Sequence, residues 1–213
     1  MIFQNNVVKE YLKNVLFVTG MPCGGKTTIS RELGRRHNLM VYDVDERFPT
    51  HQRMSTPADQ PAMNRVFRNA DEFFGRPVEE YANWLLKNTR EQLDYILMDL
   101  IQLSQKQTVI CDLHLTVEEA DILTDYGRIV FLIKNPSNII NEYCNRTDHN
   151  DFSDFINSAS DPETAKANCN RTLEYLNRQR YEQIKQSPYF WLERNSHSTV
   201  EDTVSRVERH FRL

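Results

Sequence analysis

Between an apolar run and a helical one the chain carries Gly20-Met-Pro-Cys-Gly-Gly25-Lys26-Thr27, which matches the spacing G-x-x-x-x-G-K-[ST]. Glycines at those places let successive backbone N–H groups turn toward a polyanion, and the helix that follows adds the positive end of its dipole. Lys26 would reach the β- and γ-phosphates of a nucleotide, and the Thr27 hydroxyl would take one Mg²⁺ position. The cradle runs over Gly20, Met21, Pro22, Cys23, Gly24, Gly25, Lys26, Thr27 and Thr28. A chance match in a glycine-rich turn is the competing account. Only six glycines occur in the whole chain, and three fall here, so general glycine richness does not explain the cluster. No G-x-G-x-x-G is present, which removes the dinucleotide fingerprint.

Acidic residues at the carboxyl ends of strands are the natural metal ligands and bases beside such a cradle. Two places qualify: Asp43 and Asp45 in the run Val41-Tyr-Asp-Val-Asp-Glu-Arg47, and Asp112 after Val109-Ile-Cys111. On an extended backbone Asp43 and Asp45, two apart, project to the same side. Such a pair divides labour, one acid holding Mg²⁺ through water and the other orienting and deprotonating an acceptor hydroxyl. A helix beginning near Glu46 offers a plainer account, in which one of the two only caps it. Asp112 resembles a Walker B acid, with a turn or helix cap as the alternative. His114 beside it reads as a polar loop residue.

Positioning these groups takes alternating strands and helices. Apolar runs at 15–19, 39–44, 107–111, 128–133 and 189–192 read as five strands, with helical segments between them. That alternation implies right-handed crossovers and a mostly parallel sheet with helices on both faces. The expected class is α/β, a three-layer P-loop NTPase fold with a five-stranded parallel sheet, a helical acceptor-binding insert and a lid. The insert spans 49–106. Its Pro49, Pro57 and Pro61 mark loop giving way to helix near Ala62, and from Val78 the residues Tyr81, Ala82, Leu85, Leu86 and Leu93 recur at helical spacing, as a core stripe does. Residues 146–162 are polar, rich in Asp, Asn and Ser, and read as a lid-like segment or an ordinary surface loop. A charged helix at 171–185 and an amphipathic one at 200–211, with Val200, Val204, Val207 and Phe211 inward, complete the plan. No repeat or low-complexity linker divides the chain, and 213 residues suit a single domain, 1–213.

A composition of 39% apolar and 26% charged residues describes a chain that folds. Its formal charge of −4 withholds the broad attraction used in non-specific nucleic-acid or membrane-surface binding, so neither partner is expected. Arg31, Arg35 and Arg36, beyond the cradle, read as a solvated helix face. No apolar run approaches the roughly 18 residues of a spanning helix. The opening MIFQNNVVKEYLKN lacks the pattern of a secretory leader, which makes the expected compartment the cytoplasm. Cys23, Cys111, Cys144 and Cys169 are scattered without C-x-x-C, as reduced thiols are; Cys23, inside the loop, is the one placed to react.

Over residues 15–48 the chain resembles the shikimate kinase and adenylate kinase group of P-loop small-molecule kinases, which includes gluconate and nucleoside kinases. The phosphate loop and its helix lead into Tyr42-Asp43-Val44-Asp45-Glu46-Arg47, similar to the D-x-D segment of shikimate kinases. The resemblance implies ATP and Mg²⁺, with transfer of the γ-phosphoryl to a hydroxyl of a small metabolite, shikimate-, sugar- or nucleoside-like. It puts Asp43 near the metal, beside Thr27 and Asp112, and Asp45 on the acceptor. The group's lid arginine falls on Arg146, in Asn145-Arg146-Thr147-Asp148, with Arg171 or Arg178 sharing its role. Lys26, Asp45 and Arg146 would then form the catalytic set, and Arg194 and His197, after the fifth strand, would flank adenine. Arg47, Arg53, Arg65 and Arg68 stand where they could meet an anionic group of the acceptor, Arg47 and Arg68 foremost. Residues 49–106 are longer and more helical than the segment that reads shikimate, and the lid lacks the paired arginines of nucleoside monophosphate kinases. The acceptor therefore stays open. A homodimer is compatible with this plan.

Other classes make different demands. A GTPase would need N-K-x-D after a late strand, whereas strand four ends Ile133-Lys134-Asn135-Pro136, the wrong order. A module that only binds nucleotide and works through a partner predicts loss of the catalytic acids, which are all in place. A regulatory ATPase without a small-molecule acceptor remains the alternative.

Overall fold

The structure is a computed structural model that describes residues 4–144 and 150–213. Its strands are β1 (Val15–Gly20), β2 (Met40–Asp43), β3 (Val109–Asp112), β4 (Ile129–Ile133) and β5 (Trp191–Glu193). Around them run α1 (Asn5–Tyr11), α2 (Lys26–His37), α3 (Val44–Met54), α4 (Ala70–Phe74), α5 (Val78–Ser104), α6 (Val117–Leu123), α7 (Pro136–Tyr143), α8 (Asn150–Asn157), α9 (Pro162–Gln186) and α10 (Val200–Phe211).

All strand pairs are parallel, in the order β2-β3-β1-β4-β5. Every residue of β1 and β4 is buried, the near-continuous apolar composition that a parallel strand covered on both faces requires. Alternation along β1 then sorts the core into two layers. Leu16 and Val18 pack with Ile29 and Leu33 of α2 and with Val204, Val207 and Phe211 of α10. Val15 and Phe17 pack the other way, with Leu93, Ile96 and Leu100 of α5 and with Tyr181 and Ile184 of α9. Each such aliphatic or aromatic side chain contributes about 1.5–3 kcal/mol by leaving water. The expected three-layer fold with five parallel strands is what the chain adopts.

A third cluster, off the sheet, joins Phe74 of α4, Tyr81 of α5, Ile156 of α8 and Cys169 of α9. Arg76 lies within it at 6% exposure, its guanidinium 4.3–4.7 Å from the ring centroids of Phe67, Phe73, Tyr81 and Trp84. Burial lowers its pKa, while the ring faces around it and the more distant Glu80 and Glu72 attract its charge. The Asn168 amide of α9 donates to the carbonyls of Phe74 and Arg76 at 2.5 and 2.7 Å, fastening the insert to α9.

The insert differs from expectation at its start. No loop follows Pro49; the proline lies inside α3, which begins immediately after β2. Its missing N–H costs the helix a hydrogen bond. The Asp43 carboxylate, which accepts from the N–H groups of Asp45 and Glu46, and the burial of His51 at 2% exposure offset that loss. Around Ala62 the chain makes turns, and regular helix resumes only at α4. The lid-like segment is helical over α8, whose Phe152 and Phe155 lie against Phe74. Residues 146–149 of that segment lie outside the described residues. The charged helix expected at 171–185 is part of the longer α9.

Candidate functional site

The loop from Gly20 to Gly25 closes over the end of β4. Gly20 has φ 125°, and a Cβ there would fall 2.1 Å from the Leu132 carbonyl oxygen; at Gly24 the same oxygen would be 2.5 Å away. Neither position admits a side chain, because the backbone that would have to move is the central sheet. The Met21 N–H donates to Leu132 O at 2.9 Å, fixing the loop to β4. Gly25, at φ 92°, caps α2, so the helix offers its first N–H groups to the space in front of the loop. Lys26 is buried there and donates to the Met21 carbonyl at 3.1 Å. Cys23 packs against the core at 9% exposure with φ 57°, and it also lines the cavity in front of the loop.

Asp112 ends β3, in register with Val18 of β1 and Asp43 of β2. Burial raises its pKa, while Lys26 and a hydrogen bond from Thr27 pull the other way. Thr27 and Asp112 thus stand together at the mouth of the loop, one hydroxyl and one carboxylate. That donor set fits Mg²⁺, which takes one or two protein oxygens and fills its octahedron with phosphate and water. Among the described residues no three of His, Cys, Asp and Glu form a cluster, and a nucleotide-bound Mg²⁺ needs none.

The two acids of the D-x-D run do not project from one extended strand. Asp43 caps α3 with Oδ1 and accepts from Arg31 with Oδ2 at 3.1 Å, whereas Asp45 is in the first turn of α3 and exposed to the cavity. The plain capping account of Asp43 describes its geometry, and the helix start sends the two carboxylates to different places.

In front of the loop lies one cavity of about 1130 Å³. Its phosphate end is lined by Lys26, Thr27, Thr28, Asp112 and His114, and its far end by Val44, Asp45, Phe48, Asn88, Thr89 and Gln92. His114 holds the Gly20 carbonyl at 2.8 Å, so its proton is on Nδ1 and Nε2 is the acceptor. Burial, with Lys26 and Arg180 nearby, keeps that imidazole neutral, its pKa well below the ordinary value. Beyond the loop Arg194 donates to Cys23 O at 2.9 Å and lies 3.7 Å from Glu142. It lines this cavity and also the smaller one beside Gly24 and Thr199; His197 lines neither.

The arginines expected around the acceptor are elsewhere. Arg47 lies over the Tyr42 ring at 5.7 Å, Arg53 bonds Thr50, Arg65 pairs with Glu80 and Arg68 with Glu72. None of the four lines the cavity, because α3 and the turns before α4 carry them to the surface. Arg171 reaches Asn168 and Arg178 pairs with Glu174, both away from the cavity. Arg146 lies outside the described residues. Asn88, Gln92 and His114, by contrast, line the cavity without having been picked out as site residues. For the first two the signal was their four-residue spacing on the helix, which the apolar stripe of α5 overshadowed.

This fold and loop define a P-loop nucleotide-binding α/β protein. The family model described as AAA domain matches residues 16–161, most of the chain, and the chain belongs to that family. Among curated proteins none matches. Among solved structures the chain is similar to a shikimate kinase from Bacteroides thetaiotaomicron, at 14% identity and TM-score 0.48 over 93% of this chain and 98% of that one. It is also similar to a presumptive kinase from Chloroflexus aurantiacus J-10-fl, at 15% identity and TM-score 0.47 over 92% and 97%. At those scores the likeness adds nothing to the strand order itself. No helix among the described residues is long and apolar enough to cross a membrane.

Proposed function

We propose that the protein transfers the γ-phosphoryl group of ATP to a hydroxyl of a small molecule. The observation that carries this reading is the continuity of the cavity. One space of about 1130 Å³ runs from the phosphate loop to Asp45 and the polar face of α5, more than a nucleotide tail alone requires. A nucleotide and a second small molecule fit such a space together.

In this reading the loop N–H groups and Lys26 hold the phosphates, and Arg194 supports the nucleobase side. Lys26 would leave the Met21 carbonyl for the phosphate, and its charge would offset what develops on the transferring group. Thr27 and Asp112 would hold Mg²⁺, which would supply positive charge to offset that of the phosphates. Asp45 would orient the acceptor hydroxyl and take its proton as the oxygen–phosphorus bond forms and ADP leaves. Positioning supplies most of the rate in such a site. Arg146 lies outside the described residues; the kinase resemblance makes it the candidate for a second cation that would neutralise charge on the phosphoryl.

The test compares two variants in a radiolabelled-ATP assay against sugars, nucleosides and polyols. Asp45→Asn is expected to lower kcat by about 10²–10⁴-fold with little change in ATP affinity. Lys26→Ala is expected to abolish turnover in a protein that still folds. Equal losses of kcat and ATP affinity in Asp45→Asn would reassign that acid to the metal. Steady ADP release without any phosphorylated acceptor would instead make the protein an ATPase.

A further inference from the structure

Two side-chain amides on α5, Asn88 and Gln92, stand one helical turn apart at the far end of the cavity. The surroundings fix how the Gln92 amide is turned. Gln92 is 7% exposed, and its Nε2 lies 3.1 Å from the Val44 carbonyl and 3.3 Å from His51 Nδ1. His51 Nε2 is 3.1 Å from an Asp99 carboxylate oxygen that also accepts from the Tyr42 hydroxyl at 2.6 Å. A carboxylate only accepts, so the imidazole proton is on Nε2 and Nδ1 accepts from Gln92. Both hydrogens of the Gln92 amide are then engaged. Flipping it would set oxygen against the Val44 carbonyl oxygen.

Gln92 Oε1 accepts from no donor among the described residues and is not sealed from solvent, which leaves it open to the cavity that Gln92 lines. Asn88 repeats the pattern more loosely, with Nδ2 3.4 Å from the Ala62 carbonyl. Two carbonyl-type oxygens, with the Asp45 carboxylate nearby, accept hydrogen bonds and repel anions. Arg47, Arg53, Arg65 and Arg68, the cations expected to offset them, are all engaged elsewhere. Arg31 and Arg35, read from the sequence as a solvated face, do line the cavity together with Arg194, but the three pair with Asp43, Glu32 and Glu142 respectively.

We propose that Gln92, seconded by Asn88, determines acceptor specificity and selects an uncharged, hydroxyl-rich molecule over an anionic one. Phe48, Leu93 and Ile96 beside it give the carbon face of such a molecule an apolar wall. His51, Asp99 and Tyr42 are positioning residues: they touch no substrate and keep the Gln92 oxygen facing outward. The proposal rests on the phosphoryl-transfer reading above.

The experiment uses the full chain with magnesium and radiolabelled ATP against matched pairs: nucleosides with their monophosphates, and aldoses and polyols with the corresponding aldonates. The uncharged members are expected to show kcat/KM about 100-fold or more above their anionic partners. Gln92→Met, close in size but without the oxygen, should raise the acceptor KM about 10–100-fold and leave the KM for ATP in place. His51→Phe, which removes one of the two acceptors that hold the amide and so loosens it, should raise the acceptor KM in the same selective way. Preference for an anionic member, no turnover of any uncharged member, or an unchanged acceptor KM in Gln92→Met would each overturn the proposal. Calorimetry with magnesium-ATP on the same preparation separates the two levels. Intact nucleotide binding confines a failure to the specificity claim, and absent binding removes the phosphoryl-transfer reading as well.

Discussion

Asp112 is held where burial outweighs the attraction of Lys26 and the hydrogen bond from Thr27, so its carboxyl is pushed above the ordinary range. An acid whose folded pKa exceeds its unfolded value binds more protons when folded. Stability therefore falls as pH rises from about 3.9, the unfolded value, through the raised one. Asp112→Asn removes the charge and keeps an oxygen for Thr27. At pH 7 the nucleotide-free variant is expected to melt higher than the wild type by about 2–4 °C, for roughly 1 kcal/mol relieved. The gap should close toward pH 4, and turnover should be lost. Calorimetric melting across that pH range checks the sign, and a lower melting point at pH 7 would mean that the Lys26 attraction prevails. Glu32 shows the opposite case. Its bonds to Arg35 and Arg36 lower its pKa, but at an exposed site that pairing is worth little.

At the scale of elements, what matters is how α3, α5 and α9 hold the far end of the cavity. Asp43 begins α3 at the end of β2, and that single cap turns Asp45 toward the cavity while Arg47 turns out over Tyr42. The D-x-D residues were legible in the sequence; their directions were not, because a strand and a helix start share the same five letters. Asn168 fastens the other side by holding two carbonyls between α4 and α5. Asn168→Ala would orphan both, at about 1–3 kcal/mol each. A lowered denaturation midpoint is expected, together with faster amide exchange at the start of α5. Unchanged exchange there would show that the aromatic cluster alone holds the insert.

For the whole molecule, the phosphate loop is the joint at which β1, β4 and α2 meet, with Met21 bonded to Leu132 and Gly20 fitted against it. A ligand that satisfies the loop N–H groups and Lys26 binds the folded chain only. Magnesium-ATP at about a hundred times its Kd should therefore add about 2.7 kcal/mol, a rise of roughly 5–10 °C in Tm. Differential scanning fluorimetry measures the rise. Lys26→Ala should largely lose it, and a wild type that does not respond to the nucleotide would remove the loop from function.

By itself the sequence determined the class: the loop spacing from Gly20 to Thr27, the apolar runs of the five strands, and Asp112 at a strand end are local patterns, and local chemistry is enough to read them. Only the tertiary structure decided which polar groups share a space. Arg47 and Arg68 left the site because α3 starts at Val44 and the turns before α4 face solvent. Asn88, Gln92 and His114 entered it because α5 and the end of β3 pack beside the loop. Which side of a helix faces a cavity depends on what packs against its other side, and those partners lie scores of residues away along the chain.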